Sequence, residues 1–370
     1  MNEDRASRYH RLRRRAALAS TVVGAAGLGI LVATPASLRL AAWAGSVAAP
    51  LVWPVRPVLA IILYVGVLAL AWELLSGPLV FYRTFLLDRK YGLSSEPASR
   101  WFVDHAKALA LGLALTLASA VAVYVTMWLS PAMWWVIATG LFIALAVLIS
   151  GVAPVWLLPI FYRFQPLTRE ELRERLLALS SRAGVEVIGA FEWGLGEKTS
   201  RANAALVGAG RTRRIIVSDT LLKNYSEDEI EVILAHELAH HVHYDIWTAL
   251  ALEAVLVAAA LLGAHLAGTR AAVAIGARGL SDPGALPLLI LAGGAVSILL
   301  APISNAWSRF NEFRADGFAL KLTGRPAAFV SAMKRLGAQN LAEERPARLV
   351  YWFFYTHPTI EERIAAARQA

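Results

Sequence analysis

Of 370 residues, 57% carry hydrophobic side chains and 17% are charged, with a mean hydropathy of +0.53; this apolar excess belongs in lipid and excludes a disordered chain. The absence of cysteine excludes a disulfide scaffold, a thiolate metal site and a cysteine nucleophile. The net charge of +9 is weighted to the start of the chain, where Arg5, Arg8, Arg11, Arg13, Arg14 and Arg15 precede the first apolar run, a signal of membrane orientation; no aromatic-interleaved basic face points to nucleic acid.

A bilayer core of about 30 Å takes roughly 20 apolar residues in a helix. Six runs are of that size: Ala16 to Thr34, Val58 to Tyr82, Ala108 to Leu129, Met133 to Phe161, Ile246 to Gly268 and Ala285 to Asn305. The first run also has the basic flank of a cleaved leader, but its length favours a retained span. Leu40 to Val55 is apolar too; Pro50, Pro54 and its short length predict a re-entrant or interfacial segment. Glu73 and Glu253 lie inside apolar runs, and are expected either to face a bundle interior or to snorkel to the interface. With the arginine-rich start on the cytoplasmic side, four crossings leave residues 163–245 there, and two more return the chain from Trp307 onward. Arg270 and Arg278 depart from this rule, since they fall in the outer loop.

The segment between the fourth and fifth runs has the punctuation of a small α+β unit. Thr168 with Glu171 spells a capping box for a helix toward Arg182, closed by Gly184. Val185 to Trp193, Ala204 to Val207 and Arg214 to Ser218 are expected as short strands. Gly208 to Gly210 is a turn, because no Gly-Lys-Ser/Thr follows it to make a phosphate loop. Ser226 with Glu229 spells a second capping box, opening a helix through about His243.

That helix contains His236-Glu237-Leu238-Ala239-His240. Residues four apart share a helix face, with β-carbons about 5–6 Å apart, so two imidazoles can converge on one Zn2+ ion. Glu237 stands beside them as a base for the water that attacks. With the chain's own histidine and glutamate frequencies, a chance match to this spacing is expected roughly 0.01 times. Catalytic zinc takes three protein ligands and leaves a position open, so a third ligand must come from elsewhere on the same membrane side. Glu312 follows the sixth run at once and is the candidate; Asp316, one turn further on, is placed to accept the outer N–H of a ligating histidine. Without a metal to satisfy, both would read as a solvated helix face. His241 and His243 point to other faces of the helix, Asp104 reads as a cap or ion pair, and Tyr351 to Tyr355 as packing or an interfacial aromatic belt.

Taken in order, His236 to His240 between spans, Glu312 and Asp316 after the next pair, Arg201-Ala202-Asn203-Ala204 before the Arg214-Ile215-Ile216-Val217 strand, and His357-Pro358 with Arg363 near the end resemble the type I CAAX prenyl endopeptidases, integral-membrane zinc proteases. The resemblance runs from about Pro57 to Arg363 and is closer than that to the bacterial membrane stress proteases. It implies a mainly α, polytopic membrane protein enclosing a chamber, with a small α+β cytoplasmic protease unit. The eukaryotic members have seven spans where six are counted here.

The resemblance further implies that His236, His240 and Glu312 bind zinc, with Glu237 as base. Asn203 and Ala204 would form an edge strand pairing with an extended peptide, and His357 and Arg363 would donate to the developing oxyanion. The other reading of Asn203 is a turn residue, and of His357 a helix-start residue beside a first-turn proline. The expected organisation is a membrane region 1–163, a catalytic segment 164–245, a two-span hairpin 246–306 and a C-terminal catalytic segment 307–370. The partners are peptide or protein substrates, prenylated or membrane-associated, and the lipid bilayer, with no nucleic acid. Site-two-type intramembrane cleavage fits less well, because Glu227, Asp228, Glu229 and Glu231 immediately precede the zinc motif. The alternatives are a membrane quality-control protease and a noncatalytic, zinc-stabilised clamp or chaperone.

Overall fold

A computed structural model describes residues 4–152, 156–208 and 210–369. The expected span Met133 to Phe161 includes residues 153–155, and the turn at Gly208 to Gly210 includes residue 209; these lie outside the described residues. The N-terminal region comprises α1 (Arg5–Ala33), α2 (Ala36–Val47), α3 (Val55–Phe81), a π-helical turn (Tyr82–Leu86) leading into α4 (Leu87–Lys90), α5 (Ala98–Leu129) and α6 (Trp134–Val152). A small unit follows: α7 (Leu158–Phe161), β1 (Phe164–Pro166), α8 (Glu170–Arg182), β2 (Ala190–Trp193), β3 (Ala204–Val207), β4 (Arg214–Ser218), α9 (Asp219–Asn224) and α10 (Glu227–Val242). The long pair α11 (Asp245–Ala274) and α12 (Leu286–Thr323) comes next, and then α13 (Pro326–Gln339), α14 (Arg348–Phe354) and α15 (Ile360–Ala367).

Six helices among the described residues are long and apolar enough to cross a bilayer: α1, α3, α5, α6, α11 and α12. Each coincides with one of the six apolar runs, but the fourth is shorter than expected: α6 ends at Val152, and Leu158–Phe161 forms the separate α7 instead of continuing the span to Phe161. The chain is a polytopic helical membrane protein with a small sheet. At twelve residues α2 reaches only about 18 Å, too short to span. It is a regular helix packed on α3, fixed where Ser37 Oγ lies 2.6 Å from Tyr64 Oη and donates to the Gly284 carbonyl at 2.7 Å. At 38 residues α12 extends about 57 Å, nearly twice the apolar thickness, so its last turns project past the lipid. That overshoot delivers residues 309–319 to the α+β unit.

The N-terminal helix is fastened to distant parts of the chain. Tyr9 Oη donates to Asp88 at 2.6 Å, Arg14 pairs with Glu343 at 2.5 and 3.2 Å, and His10 Nε2 lies 2.7 Å from the Leu341 carbonyl. Removal of α1 as a leader would leave Asp88 and Glu343 without these partners. Of the carboxylates in apolar runs, Glu73 meets His105 Nε2 at 2.7 Å and Glu253 accepts from Ser304 at 2.9 Å, so both face neighbouring helices.

The sheet has the order β1-β2-β4-β3, with β2 and β4 parallel and the other pairs antiparallel, leaving β3 at an edge. Its inner face packs with α8, α10 and α13 around Leu172, Leu176, Ile215, Val217, Leu234 and Phe329. The Ser226–Glu229 capping box forms as expected. The box expected at Thr168 does not: Leu167 N–H donates to the Ala190 carbonyl, which holds the chain extended beyond Thr168, so the helix begins at Glu170 with Arg169 uncapped before it. The strand expected from Val185 shrinks to Ala190–Trp193, because Val185 is drawn under α8 by a bond from Ser180 Oγ to its carbonyl. Strand β1 was not expected; three residues carry no periodicity to detect.

Candidate active site

Helix α10 is buried along almost its whole length: Ile230, Val232, Leu234, Ala235, Leu238 and Ala239 are inaccessible to solvent. A helix so enclosed cannot turn about its axis without vacating packed side chains, which fixes where His236, Glu237 and His240 project. Glu312 arrives from α12, four residues before Asp316 on the same helix face.

The three expected ligand groups converge. His236 Nε2 and His240 Nε2 lie 3.3 Å apart, His236 Nε2 is 3.3 Å from Glu312 Oε2, and His240 Nε2 is 3.6 Å from Glu312 Oε1. Among the described residues this is the group of three that could hold a metal ion. Each imidazole is held from behind by a carboxylate: His236 Nδ1 lies 2.8 Å from Asp316 and His240 Nδ1 lies 2.8 Å from Asp245. A carboxylate accepts, so each ring carries its proton on Nδ1 and turns an Nε2 lone pair toward the other ring.

The residues fit a bound cation. Two lone pairs and a carboxylate oxygen aimed at one point repel one another unless a positive charge lies between them, and Glu312 Oε2 is buried without a hydrogen bond. Ligand atoms at about 2.0–2.1 Å from a tetrahedral zinc ion would lie about 3.4 Å from one another, close to the separations found. The field has the same sign. Burial alone would lower the His236 imidazole, but the carboxylates of Asp316 and Glu312 outweigh it and raise it to about 9, so the site draws positive charge, and a proton and a metal ion compete for the same Nε2 lone pair.

Glu237 lines the same cleft, of about 460 Å³, and burial pushes its carboxyl above the ordinary range, with His236 and His240 opposing. An upward shift suits a group that must both take and return a proton. His357 lies across the cleft, its Nε2 3.3 Å from Glu312 Oε1, with 63% of its side chain exposed. The buried Arg363 is committed to Asp316, donating through Nε at 2.8 Å and Nη2 at 2.5 Å, while its Nη1 is 3.8 Å from Glu312. Thr359, not Pro358, caps α15 through a capping box with Glu362, so His357 and Pro358 lie in the approach to that helix, not in its first turn.

Asn203 and Ala204 line the cleft at the start of β3. Ser218 N–H donates to the Asn203 carbonyl, making 203 and 218 a hydrogen-bonded pair. Antiparallel alternation then turns the N–H and C=O of Ala204 and Leu206 toward the open edge, where the Leu206 carbonyl meets His241 Nε2 at 3.1 Å. The His241 ring therefore ties α10 to the edge strand, a contact that its helical face alone did not suggest. Asp104 pairs with Lys107 and Lys198.

Asp245 is the principal residue that sequence reasoning missed. It is the first residue of α11, and Tyr244, with φ 58°, makes the sharp turn that brings it back under His240. Its one local signal was an acid five positions after the second histidine. Arg314 from α12 donates to the same carboxylate.

The α1 helix also reaches the cleft, which His10 and Glu343 line. Glu343 accepts from Arg14 and from Tyr355 Oη, two residues before His357, and Arg309 donates to the Tyr355 carbonyl at 2.6 Å. Glu343→Gln is expected to loosen this segment and lower turnover by on the order of tenfold to a hundredfold, with bound metal unchanged. Turnover equal to that of the wild type would disconnect Glu343 from the placement of His357.

Residues 166–370 match peptidase family M48, and residues 2–163 match the CAAX prenyl protease N-terminal region, described as five membrane helices. Five helices of twelve residues or more stand there, α1, α2, α3, α5 and α6, of which α2 is the non-spanning one. Among curated relatives, the uncharacterized metalloprotease YhfN of Bacillus subtilis is 28% identical over 312 residues, covering 83% of this chain and 72% of that protein. CAAX prenyl protease 1 of Saccharomyces cerevisiae is 27% identical over 328 residues, covering 82% and 71% respectively. The crystal structure of S. mikatae Ste24p shares the fold, with a TM-score of 0.85 over 98% of this chain and 88% of that one, at 21% identity.

Proposed function

This chain belongs to peptidase family M48, and from that premise we propose that His236, His240 and Glu312 bind a catalytic zinc ion with Glu237 as general base, at the cytoplasmic face of a bacterial inner membrane. The protein is a membrane-embedded metalloendopeptidase. The observation that carries the site assignment is the convergence of two Nε2 lone pairs and one carboxylate within 3.3 to 3.6 Å. The catalytic unit is divided between residues 164–245 and 307–370, joined by the hairpin 246–306 and preceded by the membrane region 1–163.

A zinc ion in this site supplies Lewis acidity, polarising the scissile carbonyl and making water more acidic. Glu237 takes a proton as the water oxygen bonds to the carbonyl carbon, and returns it to the nitrogen as the C–N bond breaks. His357, on the open side of the cleft, donates to the oxygen on which negative charge develops. Asp316 and Asp245 keep the imidazoles in the tautomer that ligates. Arg363 works through Asp316, to which its guanidinium is bound on two sides. Ala204, with its backbone turned to the open edge, pairs with an extended substrate by strand addition.

Main-chain pairing of this kind accepts many sequences, which supports membrane-associated polypeptides as the substrate class, prenylated C-terminal peptides among them. The complete set of base and ligands favours hydrolysis over a noncatalytic clamp. Two measurements test the reading: the metal content of the purified full chain, and cleavage of one peptide with and without a prenyl group. About one zinc per chain is expected, with cleavage lost on chelation and restored by added zinc. A chain purified without zinc that cleaves equally well would overturn the site; equal cleavage of both peptides would remove only the preference for prenylation.

A further inference from the structure

The membrane end opposite the zinc-motif helix carries an unexpected charge. Residues 34–57 and 269–285 hold Arg39, Arg56, Arg270 and Arg278 against one acid, Asp282. Short loops on the outer side are normally poor in arginine. Such an excess calls for an anionic partner at that depth.

Two of the four arginines line a recess of about 770 Å³ between α2, the start of α3 and the α11–α12 connection. The walls are mostly apolar, lined by Leu38, Ala42 and Ala60 together with Trp53 and Trp128, whose rings are 5.8 Å apart. Arg56, the second residue of α3, has an exposed side chain with no hydrogen bond or ion pair among the described residues. Arg278 is 90% exposed and touches Asp282 at 3.3 Å, so the mouth bears two guanidinium groups against one carboxylate. Tryptophans gather at headgroup depth, and a guanidinium forks onto phosphate oxygens.

We propose that this recess binds an anionic phospholipid of the facing leaflet, its phosphodiester between Arg56 and Arg278 and one acyl chain along Leu38, Ala42 and Ala60. The combination selects for that ligand. A soluble phosphate would leave the apolar walls uncovered, and a zwitterionic lipid would add its own cation to a mouth already net positive. The occupied recess braces α2, which is too short to be held by the bilayer itself, against α3.

The test uses the full chain in nanodiscs of phosphatidylcholine alone or mixed equally with phosphatidylglycerol, read by native mass spectrometry and thermal midpoint. The wild type is expected to retain one phosphatidylglycerol and to gain in midpoint from it. Retention should fall about fivefold for each arginine lost in R56Q and R56Q/R278Q. In pure phosphatidylcholine R56Q should melt with the wild type, since among the described residues its guanidinium has no hydrogen-bond or ion-pair partner to lose; this keeps the test valid should the double variant misfold. R39Q/R270Q removes the same charge from the same face outside the recess and should retain the lipid. Equal loss in that control, equal retention in R56Q, or equal retention of phosphatidylcholine by the wild type would each overturn the proposal.

Discussion

Glu237→Gln is expected to abolish peptide cleavage, with turnover falling about 10³-fold or more, while zinc content stays at the wild-type level. The amide keeps the shape of the side chain but can neither accept the water's proton nor return it to the leaving nitrogen. Glu237 is not one of the three converging groups, so the ligand set is untouched. Measured by metal analysis alongside single-turnover cleavage, turnover in the variant within tenfold of wild type would sink the assignment of the base. Loss of both metal and turnover would mean instead that Glu237 helps to build the site. The inactive protein also serves as a trap, and the peptides it retains identify the substrate.

Asp316→Ala is expected to do two separable kinds of damage. The carboxylate orients His236, and removing such a partner commonly weakens metal binding by about 10–100-fold. It is also the counter-ion of the buried Arg363, and breaking a buried pair from one side costs about 3–5 kcal/mol. The double variant Asp316→Ala/Arg363→Leu removes the stranded charge. It should recover most of the thermal stability and none of the metal affinity, a non-additivity characteristic of groups in contact. If Asp316→Ala alone binds zinc and melts as the wild type does, the orienting role falls.

Much of this site was legible because its information is local. The spacing of His236 and His240 is a property of one helical turn, as is that of Glu312 and Asp316. The Ser226–Glu229 box that starts α10 involves only four residues. Glu312 was reached by counting membrane crossings, which depends on apolar run lengths and not on packing. The missed features each depend on a turn or a long-range contact. Asp245 reaches His240 only because Tyr244 adopts a left-handed conformation that nothing in its type announces. Thr168 has the right residue three positions on, yet pairing of Leu167 with β2 overrides the local signal.

By itself, the order of residues determined that the chain has six helices fit to span a bilayer, and which imidazoles and carboxylate converge in one site, because hydrophobic run length and helical period act within a few turns of backbone. Only the tertiary structure decided what surrounds that site: that Asp245 backs His240, that Arg363 is spent on Asp316, and that Glu343 and Arg14, 329 positions apart, hold the segment before His357. Such contacts form where packed helices happen to end. The direction of a side chain at a helix end follows from the burial of every neighbour at once, which no short stretch of sequence encodes.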